Sequence, residues 1–284
     1  MKKFGVILAV FLLLPNTSGA YETPGMYANF KRVGFDLGTS KVSNYQEYEN
    51  SPNTTINQNT QGVLKGVFDF AFEYEQPKYR FDNMVYAEYG KSRIYGNPGE
   101  KKYTENADAL RLTSEYIYKV WHFDNLADMG PLANISYQTE FTSDTDANRQ
   151  KLLQSMQGIK MINGTEGVTD FHLAAVEELD FTYAEEDIKT AWQIGFTYKY
   201  PFLQKYRFEF ESYYRDYLSY SRYEPTDFRY EFFAVAKLNI MVADKLFVEP
   251  YVSYFRAEDR EHNKAGSNLM FGVAVAFTDV VRLF

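Results

Sequence analysis

Residues 206–220 read YRFEFESYYRDYLSY, and they sort by parity. Tyr206, Phe208, Phe210, Ser212 and Tyr214 fall on one side; Arg207, Glu209, Glu211, Tyr213 and Arg215 fall on the other. A helix would scatter those charges around its circumference, whereas a period of two separates them. The stretch therefore reads as a strand with one ring-rich face and one charged face. The same division recurs along the chain. Leu64, Phe68, Phe70, Phe72 and Tyr74 alternate with Lys65, Asp69 and Glu73. Trp192, Ile194, Phe196 and Tyr198 alternate with Gln193, Thr197 and Lys199. Phe228, Tyr230, Phe232, Ala234 and Ala236 alternate with Arg229, Glu231 and Lys237.

A soluble β-sandwich also alternates, so length decides. The segments run ~10–15 residues, where a soluble strand averages ~5–6 and a tilted membrane strand needs ~9–11. Their connections come in two kinds, short turns and longer polar loops, which is barrel topology written in sequence. The chain also holds 25 Tyr and 24 Phe in 284 residues. Such rings suit the two interfacial girdles of a barrel, where one end of the ring is apolar and the other wet. Outside the N-terminus no run of ~18 apolar residues exists to make a helical span.

These features predict an all-β fold: a closed antiparallel transmembrane β-barrel of twelve strands. The strands are expected near 29–44, 62–75, 79–94, 107–121, 131–143, 151–162, 168–183, 188–200, 206–220, 228–242, 245–257 and 268–284. The segment 151–162, KLLQSMQGIKMI, has a local pattern equally compatible with a loop helix. It is assigned as a strand because an even count puts both termini in the periplasm. Gln76-Pro77-Lys78, Pro201 to Lys205 and Ala243 to Lys245 then become short periplasmic turns. The polar stretches 45–61, 95–106, 144–150, 221–227 and 258–267 fall outside.

The two ends carry export signals. Lys2 and Lys3, the apolar run Phe4 to Leu14, Pro15 and the small residues Ser18 and Ala20 make residues 1–20 a cleavable Sec signal peptide. The barrel domain is then 21–284, and loss of Lys2 and Lys3 takes the formal charge from −8 to −10. That acidity argues against a nucleic-acid partner. The absence of cysteine excludes a lipoprotein anchor, disulfides and thiolate metal sites. At the other end Phe284 supplies the terminal aromatic read by the outer-membrane assembly machinery. Phe271, Val273, Val275 and Phe277 form an apolar face before it, but Phe284 has the opposite parity, so a bulge is expected near Thr278-Asp279.

Taken together, the leader, the tyrosine-rich alternation, the missing cysteines and the final Phe resemble a small Gram-negative outer-membrane barrel of porin-like type without assigned function. The resemblance is strongest around Ala109-Leu110-Arg111-Leu112-Thr113-Ser114-Glu115-Tyr116 and through 188–243. It implies a location in the outer membrane, with the lipid bilayer and lipopolysaccharide as surroundings and a monomeric state. It implies no catalytic, cofactor-binding or metal residues.

Chemistry is sought first at the three histidines. His122 and His172 are expected at the periplasmic end, and His262 in an outer loop near Ser267. No His and Ser share a strand face at the spacing of an outer-membrane lipase. Glu258, Asp259, Glu261, Asp144 and Asp146 lack the spacing of a calcium loop and read as solvated charge. The inward face is more informative. Lys65, Asp69, Arg80, Glu115, Arg207, Glu209, Glu211, Arg215, Arg229, Glu231 and Lys237 are the candidate pore-lining residues, with Tyr213 and Tyr217 among them. Gly66, Ala71, Gly90, Gly195, Gly272 and Ala274 are expected beside them as small lumen residues. Two functions compete: a narrow channel for small polar solutes, whose charged lining handles ions, or a non-conducting structural or surface-interaction barrel plugged by its own salt bridges. A lipid-modifying enzyme is the remaining alternative.

Overall fold

The computed structural model describes residues 23–49, 51, 53, 55–57, 61–95, 101–123, 127–142, 149–162, 164, 167–182, 185–222, 227–260 and 264–284. For 61, 92–95 and 101–107 only the backbone is described. The leader 1–20, and His262, Glu261, Asp144 and Asp146, lie outside the described residues.

Alternation becomes a wall. The long strands are β1 (Gly25–Ser43), β2 (Gln61–Glu75), β3 (Tyr79–Tyr95), β4 (Lys101–Tyr118), β6 (Ala127–Thr139), β7 (Lys151–Ile162), β8 (Gly167–Asp180), β9 (Asp187–Leu203), β10 (Tyr206–Tyr220), β11 (Phe228–Ala243), β12 (Leu246–Asp259) and β13 (Gly266–Arg282). A three-residue strand, β5 (Trp121–Phe123), lies against β6. Every long strand pairs antiparallel with its sequence neighbour, β1 pairs with β13, and β4 pairs with β6 past β5. The sheet therefore closes on itself as a twelve-stranded barrel. Closure leaves the wall without a free long-strand edge, which is what lipid demands.

The segment 151–162 is a strand, paired with β6 from Thr139↔Lys151 to Asp128↔Ile162 and with β8 on its other side. Strand β4 starts at Lys101, six residues before the expected 107, so 101–106 of the expected outer stretch are strand, paired with β3. The β4–β6 seam is short, eight register pairs from Leu110↔Thr139 to Ile117↔Leu132, where β1 and β2 share fifteen. At the periplasmic end Met26 and the last residues close the ring: Met26 N donates to Phe284 O at 3.0 Å, and Leu283 N to Met26 O at 2.8 Å. The turn Asp244-Lys245 joins β11 and β12 with Lys245 at φ 60°.

The outer surface is an apolar belt. Phe35, Phe271 and Ile135 are 69, 54 and 51% exposed, a continuous patch that only lipid could cover. No described helix is long and apolar enough to cross a membrane; the crossing elements are strands. Gly66 departs from expectation. It sits on the belt beside the Phe35 ring, on the parity opposite to Lys65.

Two bulges adjust the faces. In β1 the register steps from Phe30↔Phe70 to Arg32↔Asp69, and from Phe30↔Asp279 to Val33↔Phe277. The irregularity lies level with Thr278, where a bulge was expected, but the extra residue is in β1, so it shifts the phase of β1 and does not bring Phe284 into phase with Phe277. It turns two consecutive cations, Lys31 and Arg32, into the lumen. In β11 the register steps from Phe228↔Asp259 to Tyr230↔Glu258. Phe228 turns inward against Tyr217 and Phe255, and Arg229 is left out of phase.

Candidate functional site

The lumen is filled from the periplasmic end by paired charge. Arg80 binds Asp82 at 2.8 Å and Glu73 at 3.0 Å, and Lys31 lies 3.7 Å from Glu73. Lys119 joins Glu75 to Asp128, the latter at 3.3 Å. A second chain starts beside it at Glu115, in register with Asp82, and climbs the wall toward β10. Lys160 binds Glu115 at 2.7 Å and Asp170 at 3.0 Å; His172 reaches Asp170 through Nδ1 and the Gln193 amide through Nε2 at 2.9 Å. Gln193 accepts two bonds from Arg215, whose Nη1 meets Glu231 at 3.4 Å and Glu178 at 3.8 Å. Charges this deep persist because each is paired or hydrogen-bonded; an isolated one would be too costly to desolvate.

The expected lining residues fall as follows. Lys65 binds Glu88 at 2.9 Å. Arg80, Glu115, Arg215 and Glu231 belong to the networks above. Glu209 faces Lys199 and Arg207, each at 4.0 Å. Asp69, Glu211 and Lys237 point inward without an ion pair among the described residues. Arg229 is the correction. Its side chain is 64% exposed and turned to Glu258, whose other oxygen takes the Tyr230 hydroxyl, on the outer face. The bulge at its own position moves it there. Sequence reasoning missed Arg32, which binds Asp36 at 2.6 Å and Glu249 at 3.1 Å. It also missed Lys160 and Asp170. Asp36 was legible, standing between the outward Phe35 and Leu37.

The first outer loop also departs from expectation. Its described residues, 45–49, 51, 53 and 55–57, are not simply outside: they fold back into the mouth of the barrel. The short 3-10 helix Tyr45–Tyr48 follows Asn44 at φ 58°. Tyr48 and Ile56 are fully buried against the inward residues Val42, Phe255 and Ala257. The Tyr48 hydroxyl donates to Lys264 O at 2.9 Å, and Asn268 donates to Thr55 O at 2.7 Å. A Cβ on Gly266 would stand 2.9 Å from the Tyr48 ring, so glycine is what admits the ring.

Beneath this loop lies a cavity of about 590 Å³ within the lumen. Ser51 and Asn53 of the loop line it, with Arg111, Gln138, Gln154, Glu211, Tyr213 and Tyr217 among the wall residues. Arg215 stands 5.9 Å from both the Tyr213 and Tyr217 ring centres, within the range of cation–π attraction. His122 pairs with Asp128 at 2.7 Å, and among the described residues neither His122 nor His172 bonds a serine hydroxyl. Among the described residues no group of three or more acidic or histidine side chains is arranged to hold a metal.

Solved structures share this architecture. An outer-membrane channel from Pseudomonas putida F1 superposes with a TM-score of 0.54 at 8% identity, covering 94% of this chain and 100% of that one. The outer membrane channel DcaP of Acinetobacter baumannii gives a TM-score of 0.42 at 8% identity over 93 and 100% of the two chains. The translocator domain of the autotransporter NalP from Neisseria meningitidis gives 0.41 at 8% identity over 90 and 89%. No family model matches the chain, and no curated protein does. The fold is that of a bacterial outer-membrane β-barrel.

Proposed function

We propose that the protein is a monomeric outer-membrane channel for small polar solutes, narrowed by its own first loop. The observation that carries this reading is the cavity of about 590 Å³ inside a closed wall, lined by charge and amide rather than by a packed apolar core. Water enters such a space because ionised groups hold it there. Twelve strands enclose a lumen between that of an eight-stranded barrel filled by side chains and that of a wide porin. Residues 1–20 direct export as a cleaved leader, and Phe284, 73% exposed at the periplasmic rim, is offered to the assembly machinery.

Planar bilayers test the reading. Purified barrel gives small discrete conductance steps, and liposomes containing it swell in solutions of small polar solutes. The alternative of a non-conducting structural barrel draws on the network of Lys119, Glu75, Arg80 and Glu73 at the periplasmic end. An electrically silent protein that still shows the folded-barrel shift on boiling in SDS selects that alternative.

A further inference from the structure

Most charges lining the cavity are spent on one another. Lys160 is held by Glu115 and Asp170, Arg215 by Glu178 and Glu231, and Lys189 by Asp227 at 3.2 Å. Two lining residues are different. Arg111 makes no ion pair among the described residues; it gives two hydrogen bonds to one neutral oxygen, Gln138 Oε1, at 3.0 and 2.7 Å. Nη1 bonds no other described residue, and the guanidinium carbon lies 6.0 Å from the centre of the Tyr86 ring. Glu211 has neither an ion pair nor a hydrogen bond among the described residues, and it is exposed. Both line the same cavity. They stand on β4 and β10, five steps apart round a ring of twelve, so they face each other from nearly opposite walls.

A guanidinium and a carboxylate that have no ion pair among the described residues, facing across one polar chamber, match a ligand that carries both charges. We infer that the chamber is a binding site for zwitterionic solutes of the amino-acid or short-peptide class. The ligand carboxylate meets Arg111 and its ammonium meets Glu211. The pairing of the remaining charges explains why a singly charged solute gains less: it satisfies one end and leaves the other as it was. Guanidinium suits the carboxylate end, because its planar fork accepts two parallel bonds. Tyr213 flanks the site on β10, with its ring 5.7 Å from that of Phe233, and offers a flat apolar wall to the side chain of the solute. The volume lies in the usual range of small-molecule sites, ~300–1,000 Å³. The inference rests on the channel reading only for its physiological meaning; binding is measurable without conduction.

The test is calorimetric titration of the full-length barrel in detergent at low salt with three probes. They are L-alanyl-L-alanine, its N-acetyl derivative, which lacks the ammonium, and its amide, which lacks the carboxylate. The free dipeptide is expected to bind about tenfold tighter than either derivative, the worth of one charge-assisted pair. Arg111→Gln removes the preference over the amide and keeps the preference over the N-acetyl form. Glu211→Gln does the reverse. Arg111→Lys keeps the charge without the fork and retains part of the first preference, so the test survives if the glutamine variant fails to insert. Equal affinity for the three probes, no binding of any, or both preferences intact in the variants overturns the proposal. A barrel that binds selectively but does not conduct retires the channel reading alone; one that conducts without discriminating retires this inference alone.

Discussion

Arg32 of the first strand reaches Glu249 of β12 at 3.1 Å, and to do so it crosses the inner face of β13. The residue beneath is Ala274, fully buried and in register with both Asp36 and Glu249. Only a small side chain fits under the guanidinium. Ala274→Leu is therefore expected to destabilise the barrel by about 1–3 kcal/mol through overpacking. Val273→Leu, one residue away on the lipid face, is expected to change little. Urea midpoints of protein refolded into lipid vesicles distinguish the two, and equal midpoints refute the clasp.

Releasing the first loop is expected to open the mouth. Tyr48→Ala empties a fully buried site and removes the bond to Lys264, a loss of about 3–5 kcal/mol by analogy with other buried aromatics. Conductance rises, and chymotrypsin added outside intact cells cuts the loop faster. Tyr48→Phe, which removes only the hydroxyl, shows a much smaller effect. A loop equally protected in the alanine variant contradicts the packing described.

The Lys160 cluster gives a stability test. Lys160→Ala leaves Glu115 buried and Asp170 half-buried without their cation, a situation that costs about 3–5 kcal/mol for a buried charge. Lys65→Ala, at a more exposed pair with Glu88, is expected to cost less. The comparison is made by urea titration of the two variants at the same pH. A Lys160 variant as stable as the wild type shows that the triad is solvated.

Face assignment is tested on one strand. Phe210 packs against Phe196 on the belt, with ring centres 5.6 Å apart. Phe210→Arg should cost ~2–4 kcal/mol near the bilayer midplane, and Glu211→Arg much less. Equal tolerance at the two positions would invert the wall.

Ion selectivity follows the lumen charge. Glu209 and Glu211 stand beside Lys199, Arg207 and Lys237. Neutralising both, as Glu209→Gln with Glu211→Gln, leaves three cations there. The reversal potential in a potassium chloride gradient moves toward chloride. An unchanged potential places the conducting path elsewhere.

Strand number and face were legible because lipid imposes the period-two contrast. Even 151–162, whose own pattern is ambiguous, followed from the parity of the count. The start of β4 was not legible. Lys101 to Asn106 are polar on both faces, and beyond the bilayer nothing requires alternation. Arg229 shows the limit at a bulge: one unpaired residue flips the phase, and no residue type nearby announces it. Pairing was hidden for a different reason. Parity puts Glu115 inward, but the ambiguous pattern of 151–162 leaves Lys160 unassigned, and their contact joins residues 45 apart in sequence and depends on the stagger around the ring. The inward loop left a faint trace, Tyr45, Tyr48 and Ile56 standing in an otherwise polar stretch.

The short seam between β4 and β6 has a mechanical consequence. A cylinder under lateral tension parts sooner at a short joint than at a long one. Eight register pairs hold β4 to β6 and three more continue the line from β5 to β6, against fifteen between β1 and β2. Opening there breaks fewer backbone bonds than opening the β1–β2 joint, so thermal breathing is easier at it. Deuterium should enter the amides of Leu110 to Ile117 before those of the β1–β2 joint, which makes this stripe more compliant than the β1–β2 side of the tube.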